Sequence, residues 1–310
     1  MRTEIKSVPT GLTTDSVQTY REQGYLLLDD VVDPESLSAA WRALVTAESS
    51  TPVQRSDRYN KDGKVDFSKT PNLAKHREEF RRLACAPPVV TAVEGLLGQR
   101  ALIFRDVLVN KPAHDGAPLD YHQDSAYWDI RPPELISAWF TFRDVGPADG
   151  CLRVIRGSQS HEYPHDVLLG KNRALPGWMT AGLRRLATIS GTGDSDASGF
   201  SPARRLKNGL LGALTRHLSF LAKLQDLHAR VPLEEKDDAV DLPVRAGSVV
   251  LFHSRLLHAS NPNTSDKDRP AYIVSYMGAE YTFCGVGQPE FLIARELERK
   301  VFQKARIARH

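Results

Sequence analysis

Residues 101–142 read ALIFRDVLVNKPAHDGAPLDYHQDSAYWDIRPPELISAWFTF, a stretch in which short runs of β-forming residues alternate with loops rich in Pro and Gly. The runs at 101–109 and 136–142 fit strands better than helices. Similar runs recur at residues 151–155, 248–252 and 271–277. Several short strands with variable connections indicate a β-sandwich or barrel rather than a parallel sheet wound with helices. We therefore predict a mainly β fold with helical decoration.

The first hundred residues carry that decoration. A helix is predicted over residues 13–23, with Thr13 or Thr14 as its cap and Gly24 at its end, and the apolar run 25–28 reads as a strand. Further helices are predicted from Asp33 and through residues 76–96. Residues 49–71 are polar and show no periodicity, so we expect a loop there that closes over the functional site.

The composition is that of a globular protein, with 41% hydrophobic and 25% charged residues. The absence of a bilayer-spanning apolar run and of a secretory signal predicts a cytoplasmic protein without integral membrane association. Three widely spaced cysteines argue against a disulfide framework. The 41 basic and 38 acidic residues are too nearly balanced to indicate a nucleic-acid partner. We expect one domain over residues 1–310, and the sequence does not predict its oligomeric state.

Residues 162–238 interrupt the β-rich half of the chain. They contain a leucine pattern typical of a helix from Leu206 to Leu224, and nine Lys or Arg against two Asp between Lys171 and Lys223. We predict a helical, basic insertion. A solvated surface is the simplest interpretation of its charge, and a lid that recognises an anionic substrate or a helix on a membrane surface are the alternatives.

His122 and Asp124 form the first part of a candidate metal site. Residues i and i+2 of an extended segment point to the same side, so this imidazole and this carboxylate can chelate one ion. A third ligand is expected from another strand, and His258, after the apolar run 249–252, is the candidate. His253 is its rival. Two imidazoles and one carboxylate on one face of an octahedron leave three positions open, as oxygen activation by non-haem iron requires.

Arg269, eleven residues after His258, is a candidate partner for an anionic cosubstrate. A guanidinium matches a carboxylate in a planar, two-pronged pair, and Ser260 can add a hydroxyl donor. A surface ion pair of Arg269 with Asp266 or Asp268 is the alternative.

Three stretches together resemble the phytanoyl-CoA dioxygenase family: YHQDSAYWD at 121–129, DGCLRVIRGS at 149–158, and the segment from Phe252-His253 through HASN at 258–261 to Arg269. The resemblance implies a double-stranded β-helix, or jelly-roll, of the cupin type that uses Fe(II), 2-oxoglutarate and O2. It also implies a set of roles for residues of this chain: His122, Asp124 and His258 as iron ligands and catalytic centre, and Arg269, Ser260, Gln123 and Trp139 as the cosubstrate site.

The resemblance implies hydroxylation of a small-molecule substrate with release of succinate and carbon dioxide. Desaturation, epimerisation and cyclisation are open to the same chemistry. Lys111, Tyr127 and Trp128 flank the proposed ligands in sequence and are candidate substrate contacts. Two further hypotheses remain open: a zinc- or manganese-dependent jelly-roll isomerase or hydrolase, which needs no Arg269 clamp, and a binding protein without turnover.

Overall fold

The structure, a computed structural model, describes residues 12–45, 55–128, 130–169, 173–174, 227–231, 238–283 and 292–294. The chain divides into two compact units, one formed by residues 1–164 with 231–310 and the other by residues 165–230.

The larger unit is built on an antiparallel sheet of eight strands. These strands, numbered along the chain, are β1 (Tyr25–Leu28), β2 (Ser56–Tyr59), β3 (Val65–Pro71), β4 (Ala101–Lys111), β7 (Ile136–Thr141), β13 (Val249–His253), β15 (Arg269–Gly278) and β17 (Leu292–Ile293). They pair in the order β1-β13-β7-β15-β4-β3-β2, with β17 also on β4. Of the three central strands, β7 and β15 are almost fully buried and β4 is buried at seven of its eleven positions, and together they form the floor of the site.

A second antiparallel sheet has four strands in the order β12-β8-β14-β5. They are β5 (Leu119–His122), β8 (Leu152–Ile155), β12 (Ala239–Leu242) and β14 (His258–Ser260), and a separate pair joins β6 (Ile130–Arg131) to β16 (Thr282–Phe283). Trp139 and Phe252 of the large sheet share one buried cluster with Leu152 and Val154 of the small sheet. The predicted mainly β, jelly-roll fold is confirmed.

Among the described residues, five α-helices decorate the sandwich: α1 (Thr14–Gln23), α2 (Pro34–Val45), α3 (Leu73–His76), α4 (Glu78–Ala84) and α5 (Pro87–Leu97). Residues of α2 to α5 share a buried cluster with the outward-facing residues of the large sheet, and the Phe80 ring lies 4.9 Å from that of Tyr272. The predicted cap of α1 is confirmed, since Oγ1 of Thr13 accepts a hydrogen bond from the Ser16 amide. Gly24 ends the helix in the left-handed conformation, which glycine adopts without strain.

The prediction of a loop over residues 49–71 is wrong for residues 56–59 and 65–71. Strands β2 and β3 form an antiparallel pair there, and β3 continues the large sheet by pairing with β4 from Ser68 to Pro71. These strands were not predicted because their side chains are polar and show no periodicity. An edge strand of this kind is stabilised by pairing with a long neighbouring strand. Residues 49–54 lie outside the described residues.

The smaller unit contains the strands β9 (Asp166–Leu169), β10 (Arg173–Ala174) and β11 (Leu227–Arg230), in the order β10-β9-β11. The helix predicted from Leu206 to Leu224 lies outside the described residues, as do most of the basic residues of the insertion. In the parts of the chain that are described, no helix has the length and apolar character needed to cross a membrane.

Candidate metal centre and cosubstrate pocket

The structure brings His122, Asp124 and His258 together at the ends of two neighbouring strands. His122 ends β5 and His258 begins β14, and their Cα atoms are direct partners in the ladder. Gln123 is extended, so Asp124 lies on the same side as His122, as the i, i+2 argument predicts. Oδ1 of Asp124 lies 3.7 Å from Nε2 of each histidine.

Both imidazoles are oriented by a backbone carbonyl. Nδ1 of His122 lies 2.9 Å from the carbonyl oxygen of Asp120, and Nδ1 of His258 lies 2.9 Å from that of Leu256. Since a carbonyl oxygen only accepts, each ring donates from Nδ1 and keeps the lone pair of Nε2 for a metal. With metal–ligand bonds of about 2.1 Å, neighbouring ligand atoms lie about 3 Å apart. Small side-chain movements therefore suffice to close the three atoms on one ion.

A serine pair holds the second oxygen of Asp124. The hydroxyl of Ser137 donates to Oδ2 at 3.0 Å, and the hydroxyl of Ser275 lies 3.1 Å from that of Ser137. Both serines are buried. Neither serine was predicted as part of the site, although a serine in each of two mainly apolar strands was the available signal. Because Ser137 occupies Oδ2, Asp124 presents Oδ1 to the metal position.

The rival ligand His253 lies outside this group. Nδ1 of His253 accepts a hydrogen bond from the amide of Arg255 at 3.0 Å. Burial, and as a second cause the charge of Arg255, lower the pKa of His253 to about 4. Within the part of the chain that the structure describes, His122, Asp124 and His258 are the one set of three His, Cys or acidic side chains close enough to share an ion.

Two buried cations lie at the other end of the sheet interior. Arg269 and Lys111 are direct partners on β15 and β4, and neither is more than 3% exposed. Nζ of Lys111 donates to the carbonyl oxygens of Ser260 and Asn261 at 3.2 and 2.6 Å. The guanidinium carbon of Arg269 lies 5.9 Å from the centroid of the Trp139 ring. This places the predicted cosubstrate residues Arg269, Ser260 and Trp139 in one pocket.

Neither Lys111 nor Arg269 forms an ion pair with a carboxylate among the described residues. Burial lowers the pKa of Lys111 to about 6, with Arg269 as the second cause, and burial lowers the pKa of Arg269 to about 10. Nε of Arg269 is buried without a hydrogen-bond partner. The alternative of a surface ion pair fails, because Asp266 pairs with His114 and the Asp268 carboxylate accepts from Asn110 and the Ala113 amide. Such a pocket favours an anion.

Gln123, a predicted cosubstrate contact, makes hydrogen bonds to backbone groups of two loops. Its side-chain amide is fully buried, donates to the carbonyl oxygens of His161 and Arg255, and accepts from the amide of Tyr163. These bonds connect the segment between His122 and Asp124 to two other loops. The geometry therefore favours Gln123 as a structural support of the metal ligands.

The three predicted substrate contacts lie in two different places in the structure. Tyr127 is 41% exposed, and its ring lies 5.9 Å from that of His122, while Trp128 lies next to it. Both remain candidates for substrate contact. Lys111 lies beside Arg269 instead, because side chains alternate between the two faces of β4 and that of Lys111 points to the same face as Arg269.

Gly150, in the DGCLRVIRGS stretch, allows the backbone to lie close to Asn261, beside Lys111 and Arg269. Its φ of +70° is left-handed, and a Cβ there would lie 2.4 Å from the carbonyl oxygen of Asn261. Only glycine allows the turn before β8 to lie against the residue that accepts from Lys111.

Comparisons with known proteins agree with this geometry. The phytanoyl-CoA dioxygenase family model matches residues 20–271. The mouse phytanoyl-CoA dioxygenase domain-containing protein 1 is 26% identical over 69% of this chain and 58% of that protein. The L-proline trans-4-hydroxylase of Streptomyces griseoviridis is 24% identical over 71% of this chain and 70% of that protein. The chain thus spans little more than half of the mouse relative.

The fold is shared with solved structures. One of them, the non-haem α-ketoglutarate-dependent epimerase SnoN from nogalamycin biosynthesis, superposes with a TM-score of 0.58 at 17% identity, over 88% of this chain and 86% of that one. The family model covers most of the chain and includes all three residues of the metal group. The chain therefore belongs to the phytanoyl-CoA dioxygenase family.

Proposed function

We propose that this protein is a non-haem Fe(II) and 2-oxoglutarate-dependent dioxygenase that hydroxylates a small molecule. The observation that carries the proposal is the coexistence, inside one sandwich, of a two-histidine, one-carboxylate group and a buried pair of basic side chains, Arg269 and Lys111, that form no ion pair among the described residues. The first arrangement suits Fe(II), and the second suits the distal carboxylate of an oxo-acid.

His122, Asp124 and His258 would hold the iron through Nε2, Oδ1 and Nε2. When bound, Fe(II) with 2-oxoglutarate and O2 supplies the oxidative decarboxylation to succinate and carbon dioxide that drives oxidation of a C–H bond. The carbonyls of Asp120 and Leu256 fix the two rings, and Ser137 fixes the carboxylate, so the ligand set is preorganised.

Arg269, Lys111 and Ser260 would bind the distal carboxylate of 2-oxoglutarate. Trp139 packs against the guanidinium and leaves it a planar edge for a two-pronged pair. Between the cations and Ser137, the interior face carries Ile273 and other apolar side chains of the central strands. These exclude water, which strengthens the charge pairing.

The known relatives support a small substrate and leave the outcome open. One is a hydroxylase of L-proline, and a protein of similar fold is an epimerase. Hydroxylation is the outcome that we propose, because the relative with L-proline as its substrate is a hydroxylase.

The main alternative is a non-oxidative, metal-dependent jelly-roll isomerase or hydrolase. It would use the same three ligands and would have no need of Arg269. Burial of Arg269 and Lys111 without an anion destabilises the fold unless a ligand compensates, so the cation pair argues against this alternative.

An anaerobic titration of the apoprotein with Fe(II) and 2-oxoglutarate tests the proposal. A visible charge-transfer band from the chelated keto acid is expected in the wild type, and its loss is expected in His258→Ala. His76→Ala, an exposed histidine replaced in the same way, is the matched control and retains the band. Tight zinc binding with no band in the wild type would discard the oxygenase and favour the isomerase or hydrolase.

A further inference from the structure

A third cation, Arg105, lies on the interior face of the large sheet at the level of the metal group. Ser275 of β15 is the direct partner of Ser137 on β7 and of Arg105 on β4. Directly opposite residues of antiparallel strands place their side chains on the same face. The hydrogen bonds from Ser275 through Ser137 to Asp124 identify that face as the one that carries the metal ligand.

Among the described residues, no carboxylate forms an ion pair with Arg105, although its charge partly opposes the rise that burial causes in the pKa of its sequence neighbour Asp106. The guanidinium carbon lies 5.5 Å from the centroid of the Trp128 ring, and the side chain is half-buried. Its sequence neighbour Asp106 points to the opposite face, where its carboxylate accepts from the Ala74 amide and the Tyr272 hydroxyl. Arg105 is thus held by an aromatic face, with its donors available to a ligand.

Aromatic side chains connect Arg105 to the metal group. The Trp128 ring contacts Phe104 edge to face at 5.3 Å, and Phe104 lies 5.7 Å from Phe283. On the other side, the Tyr127 ring lies 6.3 Å from Trp128 and 5.9 Å from His122. A continuous aromatic wall therefore runs from a metal ligand to a guanidinium.

Arg105 is separate from the cosubstrate pocket. Lys111 lies six residues after Arg105 on the extended strand, which is about 20 Å along β4. One small dicarboxylate therefore engages only one of the two cationic groups, and 2-oxoglutarate is expected at the buried pair, Arg269 and Lys111.

We propose that Arg105 binds an anionic group of the substrate, a carboxylate or a phosphate, while Trp128 and Phe104 pack against the substrate's apolar body. The inference rests on the proposed oxygenase function and adds the class of substrate, a small organic acid. A guanidinium that is oriented by an aromatic face pairs well with such an anion. The aromatic wall then positions the body of the acid toward His122 and the metal.

The test is calorimetry on the protein loaded with Zn(II), as an inert substitute for iron, and with saturating 2-oxoglutarate. The probes are an acid with its neutral amide, 3-phenylpropanoate with 3-phenylpropanamide, and phenyl phosphate with its neutral counterpart phenol. At least one anion is expected to bind tenfold or more tightly than its neutral counterpart or, for phenyl phosphate, than phenol. Preference for a carboxylate or for phenyl phosphate identifies the anion.

Arg105→Gln is expected to weaken binding of that anion about ten- to a hundredfold, the range for loss of charge-assisted hydrogen bonds. Arg105→Lys retains part of the affinity. Arg245→Gln, at an exposed arginine, is the matched control and binds the anion as the wild type does. Equal binding by Arg105→Gln and the wild type would overturn the inference, and so would equal binding of acids and neutral probes or binding of none of them.

The failure of this inference is distinguishable from failure of the proposed function. The charge-transfer band of the Fe(II) and 2-oxoglutarate complex is expected in both the wild type and Arg105→Gln. A band in both proteins with no preference for anionic probes overturns the role of Arg105 alone. The absence of a band in the wild type overturns both the oxygenase function and the role of Arg105, which depends on that function.

Discussion

Replacement of Ser137 by Ala is predicted to weaken metal binding through the carboxylate that it supports. Ser137 is fully buried, and its hydroxyl donates to Oδ2 of Asp124 at 3.0 Å. A hydrogen bond to an ionised group contributes about 1.5–3 kcal/mol, which corresponds to about a ten- to hundredfold change in a binding constant. Loss of comparable supporting bonds at other metal sites reduces affinity by a similar factor of about 10–100.

The assay is an anaerobic titration of apoprotein with Fe(II) or Co(II), with the dissociation constant as the readout. Ser275→Ala is the matched control, because it removes a buried hydroxyl one bond further away and leaves the direct bond from Ser137 to Asp124 intact. Its affinity is expected to fall by less than about threefold, since only the support of Ser137 is lost. A Ser137→Ala protein that binds metal as tightly as Ser275→Ala would refute the reasoning.

Three further predictions concern the cation pocket, the rival histidine and a turn. The pKa of Lys111 is about 6 in the apoprotein and 10.5 in the unfolded chain, so between these pH values the unfolded chain binds more protons than the folded protein. The free energy of unfolding therefore rises with pH across that window, and Lys111→Met should flatten this rise when it is measured by urea denaturation. An anionic ligand restores the charge, so binding of 2-oxoglutarate at pH 8 should take up a proton, measurable by calorimetry in two buffers, and should not do so in Lys111→Met. His253→Ala should bind Fe(II) within a factor of about two of the wild type, because its Nδ1 bonds the Arg255 amide, and a tenfold loss in a metal titration would return His253 to the ligand set. Gly150→Ala should destabilise the protein by about 1–3 kcal/mol, because φ is +70° and the new Cβ meets the Asn261 carbonyl; an unchanged urea midpoint would contradict this.

The metal group was predictable from the sequence because its geometry is local. His122 and Asp124 are two positions apart on an extended segment, and the strand period alone places them on one side. The choice of His258 over His253 came from the family resemblance, and the structure agrees with it. The β-sandwich was also predictable, since its central strands are continuous apolar runs.

The remaining features depend on strand pairing, which the sequence does not display. The serine pair behind Asp124 exists because Ser137 and Ser275 are direct partners on neighbouring strands that are far apart in the chain. Strands β2 and β3 were predicted as a loop because their stability depends on β4. Sequence proximity suggested Lys111 as a substrate contact, whereas its position opposite Arg269 assigns it to the cation pocket.

Thermodynamic coupling between metal and cosubstrate tests the central claim most directly. The measurement is the anaerobic binding of 2-oxoglutarate, by calorimetry, to the apoprotein and to the Fe(II)-loaded protein. We predict one equivalent per chain, bound at least tenfold more tightly when Fe(II) occupies the His122, Asp124 and His258 group, because the keto acid then contacts both the metal and Arg269. Equal affinity with and without Fe(II), or no binding in either state, would contradict the account.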